Sequence, residues 1–210
     1  MGKIILLNGP PSSGKDTAAR HIRTLANDVQ FGNAVRRCAL DRMSMPIKRA
    51  FAGTMNLPID EDGCVQPWES RKEEIIPLFG VSYRQWQIDF SERFLKTYNK
   101  AIFGELLLER IQRRFHKGIA QMIVVPDCGF DIEIETIYSH FDPRDILLVR
   151  CHRPGFTFQG DSRSYVHAPQ GSAVFDPINQ LEHEYLAQIE AGVSCWLQTP
   201  ERMARETFRR

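Results

Sequence analysis

The first apolar block, Ile4-Ile5-Leu6-Leu7, is short, aliphatic and without polar alternation, as expected of a strand covered on both faces. It predicts a strand over Lys3 to Asn8. The segment after it, Lys15 to about Ala26, is rich in helix formers and predicts the first helix. Further along, Val35 to Leu40 is expected as a strand interrupted by Arg36 and Arg37, and Met45 to about Met55 as a helix with Pro46 in its first turn. Asn56 to Glu69 has no apolar period and predicts a loop, mobile until substrate arrives. Ser82 suits a helix N-cap, and Trp86, Phe90 and Phe94 then recur every four residues, with Ile88 and Leu95 widening the stripe. Ile102 to His116 predicts a helix, Gln121 to Pro126 a strand, Ile132 to Phe141 a helix and Asp145 to Cys151 a strand. Strands alternating with helices call for parallel pairing through crossover connections, hence an α/β fold with a central, mostly parallel sheet between helical layers.

Between the first strand and the first helix stands Gly9-Pro10-Pro11-Ser12-Ser13-Gly14-Lys15-Asp16-Thr17. A glycine, four residues, then Gly-Lys, set between a buried strand and a helix, is the context of a phosphate-binding loop. Backbone N–H groups and the helix N-terminus favour anionic oxygens, and the lysine adds a mobile charge for the outer phosphates. A plain strand-to-helix turn has no need of the lysine. The candidate phosphate-binding set is therefore Gly9, Ser12, Ser13, Gly14, Lys15, Asp16 and Thr17, with ATP as donor and Mg2+ as its ion. The residue after the lysine is Asp16 where such loops usually carry Ser or Thr, and the hydroxyl follows at Thr17. Two roles are open to Asp16: approaching the metal directly or through water, or capping the helix.

Parallel sheets collect ligands beyond the C-terminal ends of their strands. Asp127, which ends the run Met122-Ile123-Val124-Val125, is thereby a candidate for organising magnesium-bound water or for binding the acceptor. Asp131 reads as a cap of the following helix, and Glu133 as a solvated helix-end charge. Arg150, Arg153 and Arg163 bracket the turn-rich Pro154 to Ser162, a short lid over about 152–167 whose guanidinium groups suit the charge spread of phosphoryl transfer. The stretch of about 42–118 offers Lys48, Arg71, Lys72 and Arg84 as clamps for an acceptor phosphate, and Trp86 or Tyr83 as a base-stacking surface, although an aromatic stripe of this kind is first of all core.

The loop form GPPxSGKxT resembles that of nucleoside monophosphate kinases, and the wider chain looks like the bacteriophage deoxynucleoside monophosphate kinases. The segments that carry the likeness are Met45-Pro46-Ile47-Lys48, Ser82-Tyr83-Arg84-Gln85-Trp86, and Val124-Val125-Pro126-Asp127 followed by Gly129-Phe130 and Glu133. The resemblance implies one phosphate-loop kinase domain over the whole chain with a helical acceptor insert and a lid. It also implies that Thr17 touches phosphate while water completes the magnesium shell, and that Glu133 is a substrate contact.

Composition changes little in this picture. The 210 residues suffice for one α/β domain, and 27 basic against 26 acidic residues leave a formal charge of +1, without bulk attraction to nucleic acid or membrane. Small-molecule nucleotides are the expected partners; the oligomeric state is open, a homodimer included. The opening apolar run is far shorter than the roughly 7–15 residues of a signal-peptide core, which gives the expectation of a cytoplasmic enzyme. Cys38, Cys64, Cys128, Cys151 and Cys195 contain no C-x-x-C pair and suggest neither zinc nor a disulfide framework. Two other readings fit the same loop: a kinase of another small metabolite, in which an aspartate serves as base, and a nucleotide-dependent switch without catalysis.

Overall fold

The computed structural model describes residues 2–28, 37–60 and 63–207, with side chains up to residue 198. Its centre is a wholly parallel five-stranded sheet in the order β2-β5-β1-β6-β7. The strands are β1 (Lys3–Asn8), β2 (Cys38–Leu40), β5 (Met122–Cys128), β6 (Ile146–Arg150) and β7 (Ala173–Phe175). β1 lies between β5 and β6, so that Ile5 pairs with both Val124 and Leu147. Its four apolar residues are fully buried and serve two cores in alternation. Ile5 and Leu7 pack with α1 (Lys15–Asn27) and α7 (Glu182–Thr207); Ile4 and Leu6 pack with α5 (Ile102–His116) and α6 (Asp131–Tyr138). Helices thus cover both faces of the sheet, the three-layer α/β architecture expected.

Periodicity singled out neither α7 nor β7, nor the two-residue strands Ile75–Ile76 and Val81–Ser82. β7 has only three residues, too few for a pattern, and joins the sheet because Leu147 to Val149 of β6 offer it a parallel edge. α7 then lays Tyr185, Ile189 and Val193, all fully buried, against the sheet face shared with α1. At the second strand the observed range is Cys38–Leu40; Val35 and Arg36 of the expected strand lie outside the described residues.

The chain segment that connects β2 to β5 builds a third, smaller core. Here α2 (Met45–Met55) meets a hairpin of β3 (Ile75–Ile76) with β4 (Val81–Ser82), and α3 (Tyr83–Asp89) continues through a π-helical stretch, Phe90–Leu95, into α4 (Lys96–Tyr98). Pro46 occupies the first turn of α2 as expected, and Ser82 Oγ caps α3 by accepting from the Gln85 N–H at 3.1 Å. The segment expected as an open loop, Asn56 to Glu69, is in part packed. Val65 is fully buried with Phe51, Ile76 and Tyr83, because isolated apolar residues need no period to find a core.

Trp86 belongs to this core. Its ring lies parallel to Phe90 at 5.0 Å and edge-on to Phe51 at 5.0 Å. Tyr83 is fully buried 4.6 Å from Phe51. Trp86→Ala is therefore expected to destabilise the fold by about 2–4 kcal/mol, as deletion of a largely buried aromatic does. Denaturant unfolding of the variant checks it; an unchanged midpoint would remove Trp86 from the core.

Candidate active site

The loop Gly9 to Gly14 leaves β1 at its buried C-terminal end and delivers the chain to the first turn of α1. Its shape rests on close approaches. At Gly9, φ is +152° and an added Cβ would lie 2.5 Å from the Cys151 carbonyl oxygen; at Gly14, φ is +100° and it would lie 2.5 Å from Asn179 Nδ2. Any other residue at either position displaces the neighbouring strand end or the segment before α7.

Lys15 is buried, and its ammonium donates to the Gly9 and Pro10 carbonyls, each at 2.6 Å, with Ser13 Oγ at 3.4 Å. Burial, and next the Arg163 charge, lower its pKa from the ordinary lysine value. The ammonium thus lies folded along its own loop, on acceptors that phosphate oxygens can replace.

Asp16 does not cap α1, whose N-terminus has no side-chain cap. Its carboxylate instead accepts from Arg42 Nη2 at 2.7 Å. Burial pushes the Asp16 pKa up, but the Arg42 charge and hydrogen bond outweigh it and hold the group below the ordinary aspartate value. Arg42, which sequence reasoning passed over, is the buried partner. Asp41, almost fully buried, fixes the Arg42 N–H, while Arg110 Nη2 holds the Arg42 carbonyl at 2.7 Å. A lone arginine between two strands and helices carries no pattern that marks it in advance.

Asp127 lies where expected, at the sheet edge beside the loop, with its hydrogen bonds directed to the β2–α2 connection. The Met43 N–H, the Ser44 N–H and the Ser44 hydroxyl donate to its two oxygens at 2.8, 3.0 and 2.6 Å. Asp131 likewise does not cap α6. Its carboxylate accepts the His167 N–H at 2.8 Å and meets His167 Nδ1 at 3.1 Å, tying down the segment after the turn-rich stretch. Both carboxylates serve chain segments distant in sequence, which local capping rules do not register.

Two cavities meet at the loop. The first, of about 570 Å³, opens between the loop, α2, α3 and α6; the second, of about 320 Å³, lies between the loop, Arg153 and the start of α7. Ser12, Lys15 and Asp16 line both. Of the expected acceptor contacts, Lys48, Lys72 and Arg84 line the first cavity, whereas Arg71 and Trp86 do not. Lys48, 3 % exposed, and Lys72 grip one carboxylate, Glu69, at 2.9 and 2.6 Å. Arg84 pairs with Glu73, and Arg71 with Glu74 at the surface.

The three bracketing arginines part company. Arg163 lines the first cavity, held by Asp161 and lying so close over Gly129 that a Cβ there would be 2.4 Å from Arg163 Cδ. Arg153 lines the second cavity and donates to the Ser12 carbonyl at 2.8 Å. Arg150 lines neither and makes a two-pronged pair with Asp176 at 2.7 and 2.8 Å, tying β6 to the segment after β7.

Contrary to a solvated helix-end charge, Glu133 is 3 % exposed and faces the first cavity beside Lys96, whose ammonium lies 3.5 Å from the centre of the Phe130 ring. Burial raises its pKa to about 7, with Asp127 adding to the rise and Lys96 and Arg163 opposing it. The second cavity is completed by Asn179, Gln180 and Glu182, which sequence reasoning also passed over. The parallel bridge between His152 and Ile178 brings Asn179 to the loop, where its Nδ2 donates to the Ser13 carbonyl at 3.0 Å.

In fold the chain is similar to an unliganded sugar kinase from Janibacter sp. HTCC2649, with a TM-score of 0.51 over 94 % of this chain and 95 % of that one at 12 % sequence identity. No protein-family model matches the chain, and no curated protein matches it significantly. The architecture is thus α/β, a five-stranded parallel sheet flanked by helices, and it is similar in fold to that kinase.

The buried Glu133 carboxyl gives a pH signature. Its folded pKa stands above the unfolded value, so the folded state keeps a proton that the unfolded state releases. Stability therefore falls as pH rises from the ordinary glutamate range through about 7. Glu133→Gln removes this loss: the variant should match the parent near pH 5 and exceed it at pH 8 by on the order of 2 kcal/mol. Urea unfolding at the two pH values checks it; a pH-independent difference would contradict the burial-driven shift.

Proposed function

We propose that the protein transfers the γ-phosphoryl group of ATP to the phosphate of a nucleoside or deoxynucleoside monophosphate, giving the diphosphate. The observation that carries this reading is the pair of cavities joined at Ser12, Lys15 and Asp16. One phosphate loop with a chamber on either side suits a donor and an acceptor approaching in line. The smaller chamber, edged by Asn179 and Arg153, takes the donor. The larger, carrying Lys48, Lys72, Arg84 and Arg163, takes the acceptor.

In this mechanism Lys15 exchanges the Gly9 and Pro10 carbonyls for donor phosphate oxygens, alongside the N–H groups of Gly9 to Thr17. Thr17 contributes its hydroxyl in the first turn of α1. Arg153 and Arg163, carried on the 152–167 lid, close on the phosphates from opposite sides and offset the charge that spreads over the transferring oxygens. The acceptor phosphate is itself a nucleophile at neutral pH, so no side chain needs to remove a proton. Magnesium supplies charge neutralisation and alignment of the triphosphate. No group of three or more His, Cys, Asp or Glu side chains is gathered among the described residues. Asp16, half-exposed where the chambers meet, nevertheless fits an ion that arrives on phosphates and keeps most of its waters. Asp127, already holding Met43 and Ser44, orders the acceptor chamber from behind.

The fold neighbour favours a second reading, a sugar or related hydroxyl as acceptor, with the buried carboxyl of Glu133 available as a base. Magnesium-dependent ATP consumption, measured with each of the four deoxynucleoside monophosphates, their ribose counterparts, a panel of sugars and acids, and no acceptor, separates the two. Stimulation by monophosphates is expected. Stimulation by sugars alone would transfer the assignment, and tight ATP binding without any stimulation would leave a switch. On the same assay Lys15→Ala should lower turnover at least 100-fold with the fold retained. Arg153→Ala should lower kcat by about tenfold to 100-fold with little change in the acceptor KM.

A further inference from the structure

The Arg42–Asp16 ion pair joins the first turn of α1 to the connection between β2 and α2. It is unequal. The Arg42 side chain is 7 % exposed and the Asp16 side chain 53 %. The arginine is placed by the fold: its carbonyl is held by Arg110, its N–H by Asp41, and its Cδ lies 3.4 Å from the Cβ position at Gly63, a turn with φ +74°. Asp16 stands where the two cavities meet and is the carboxylate common to both. Arg42 lines only the larger one.

We propose that Arg42 is the phosphate-positioning cation of the acceptor chamber, and that Asp16 holds it in reserve. This rests on the monophosphate-kinase reading. A half-exposed carboxylate is a weak partner for a guanidinium, whereas a phosphate offers more charge and two oxygens to the same planar fork. An acceptor phosphate entering the larger chamber thus draws Arg42 away from Asp16, and the pair sets the affinity the acceptor must overcome. Because Asp16 also faces the donor chamber, whatever engages it there loosens its hold on Arg42 and favours acceptor binding, with the reciprocity that any such coupling requires.

The test is a double-mutant cycle on acceptor binding by calorimetry, with the whole chain, without donor, using the monophosphate that best stimulates ATP consumption. Asp16→Asn should tighten acceptor binding about fivefold while Arg42 is present. Arg42→Gln should weaken it about tenfold or more, Arg42→Lys less, because lysine keeps the charge and loses the fork. In the Arg42→Gln background, Asp16→Asn should change affinity less than twofold. Equal tightening in both backgrounds would show that Asp16 acts on the acceptor only through its own charge and would overturn the proposal. So would Asp16→Asn leaving affinity unchanged. If the parent binds no monophosphate at all, the acceptor reading falls and the proposal with it, an outcome visible before any variant is made. Arg42→Lys, which retains a buried cation, keeps the cycle readable should Arg42→Gln fail to fold.

Discussion

The structure depends on how the backbone groups at the C-terminal edge of the parallel sheet are satisfied once the strand ladder ends. Asn8, fully buried at the last position of β1, shows the constraint most directly. Its Nδ2 donates to the Cys128 carbonyl at 2.9 Å and the Ser164 carbonyl at 3.0 Å, and its Oδ1 accepts the Val166 N–H at 3.2 Å. One carboxamide therefore joins the central strand, its neighbour and the end of the turn-rich segment that carries Arg163. An unpaired amide in this position would cost about 1–3 kcal/mol, so the three bonds fix a geometry as well as close a shell. Asp127 does the same for the connection ahead of α2, and Asp131 for the segment after Arg163.

These anchors explain why the charged groups of the two chambers can be so unevenly exposed. Lys15, Arg42 and Lys48 are buried cations, each balanced by a carbonyl or a carboxylate. Burying a charge is tolerable only when it is paired, and here every partner comes from the chain itself. Glu69 between Lys48 and Lys72 is the clearest case. Burial works to raise its pKa, but the two ammonium groups prevail and keep it low. The larger cavity therefore carries these two lysines pre-positioned, each held by an internal carboxylate.

Much of this was legible in the sequence, and the reasons differ by residue. Helix Ile102–His116 has the bounds that its apolar period predicts, and the first strand likewise, because long-range packing there agrees with local pattern. The loop between β1 and α1 was readable because its spacing follows backbone geometry: Gly9 and Gly14 both have positive φ, and Lys15 follows directly. Asp16 was marked as unusual, but its partner was not, since Arg42 lies 26 residues away and the pair exists only after β2 has joined β5. Arg150 and Arg153 look alike on paper and are separated by Asp176, which claims one, and by the Ser12 carbonyl, which receives the other.

The sequence by itself determined the alternation of strands and helices, the apolar faces and the loop, all properties of neighbours within a few residues. Tertiary structure decided the burial of Glu133, the seating of Trp86 in the small core rather than on the cavity wall, the wedge of Asn179 against the loop, and the sharing of Asp16 by both chambers. The physical reason is common to all four. Burial and electrostatic pairing are fixed by which distant segments meet, and in a parallel sheet every pairing spans a crossover, so local pattern locates the strands while their packed order alone assembles the site.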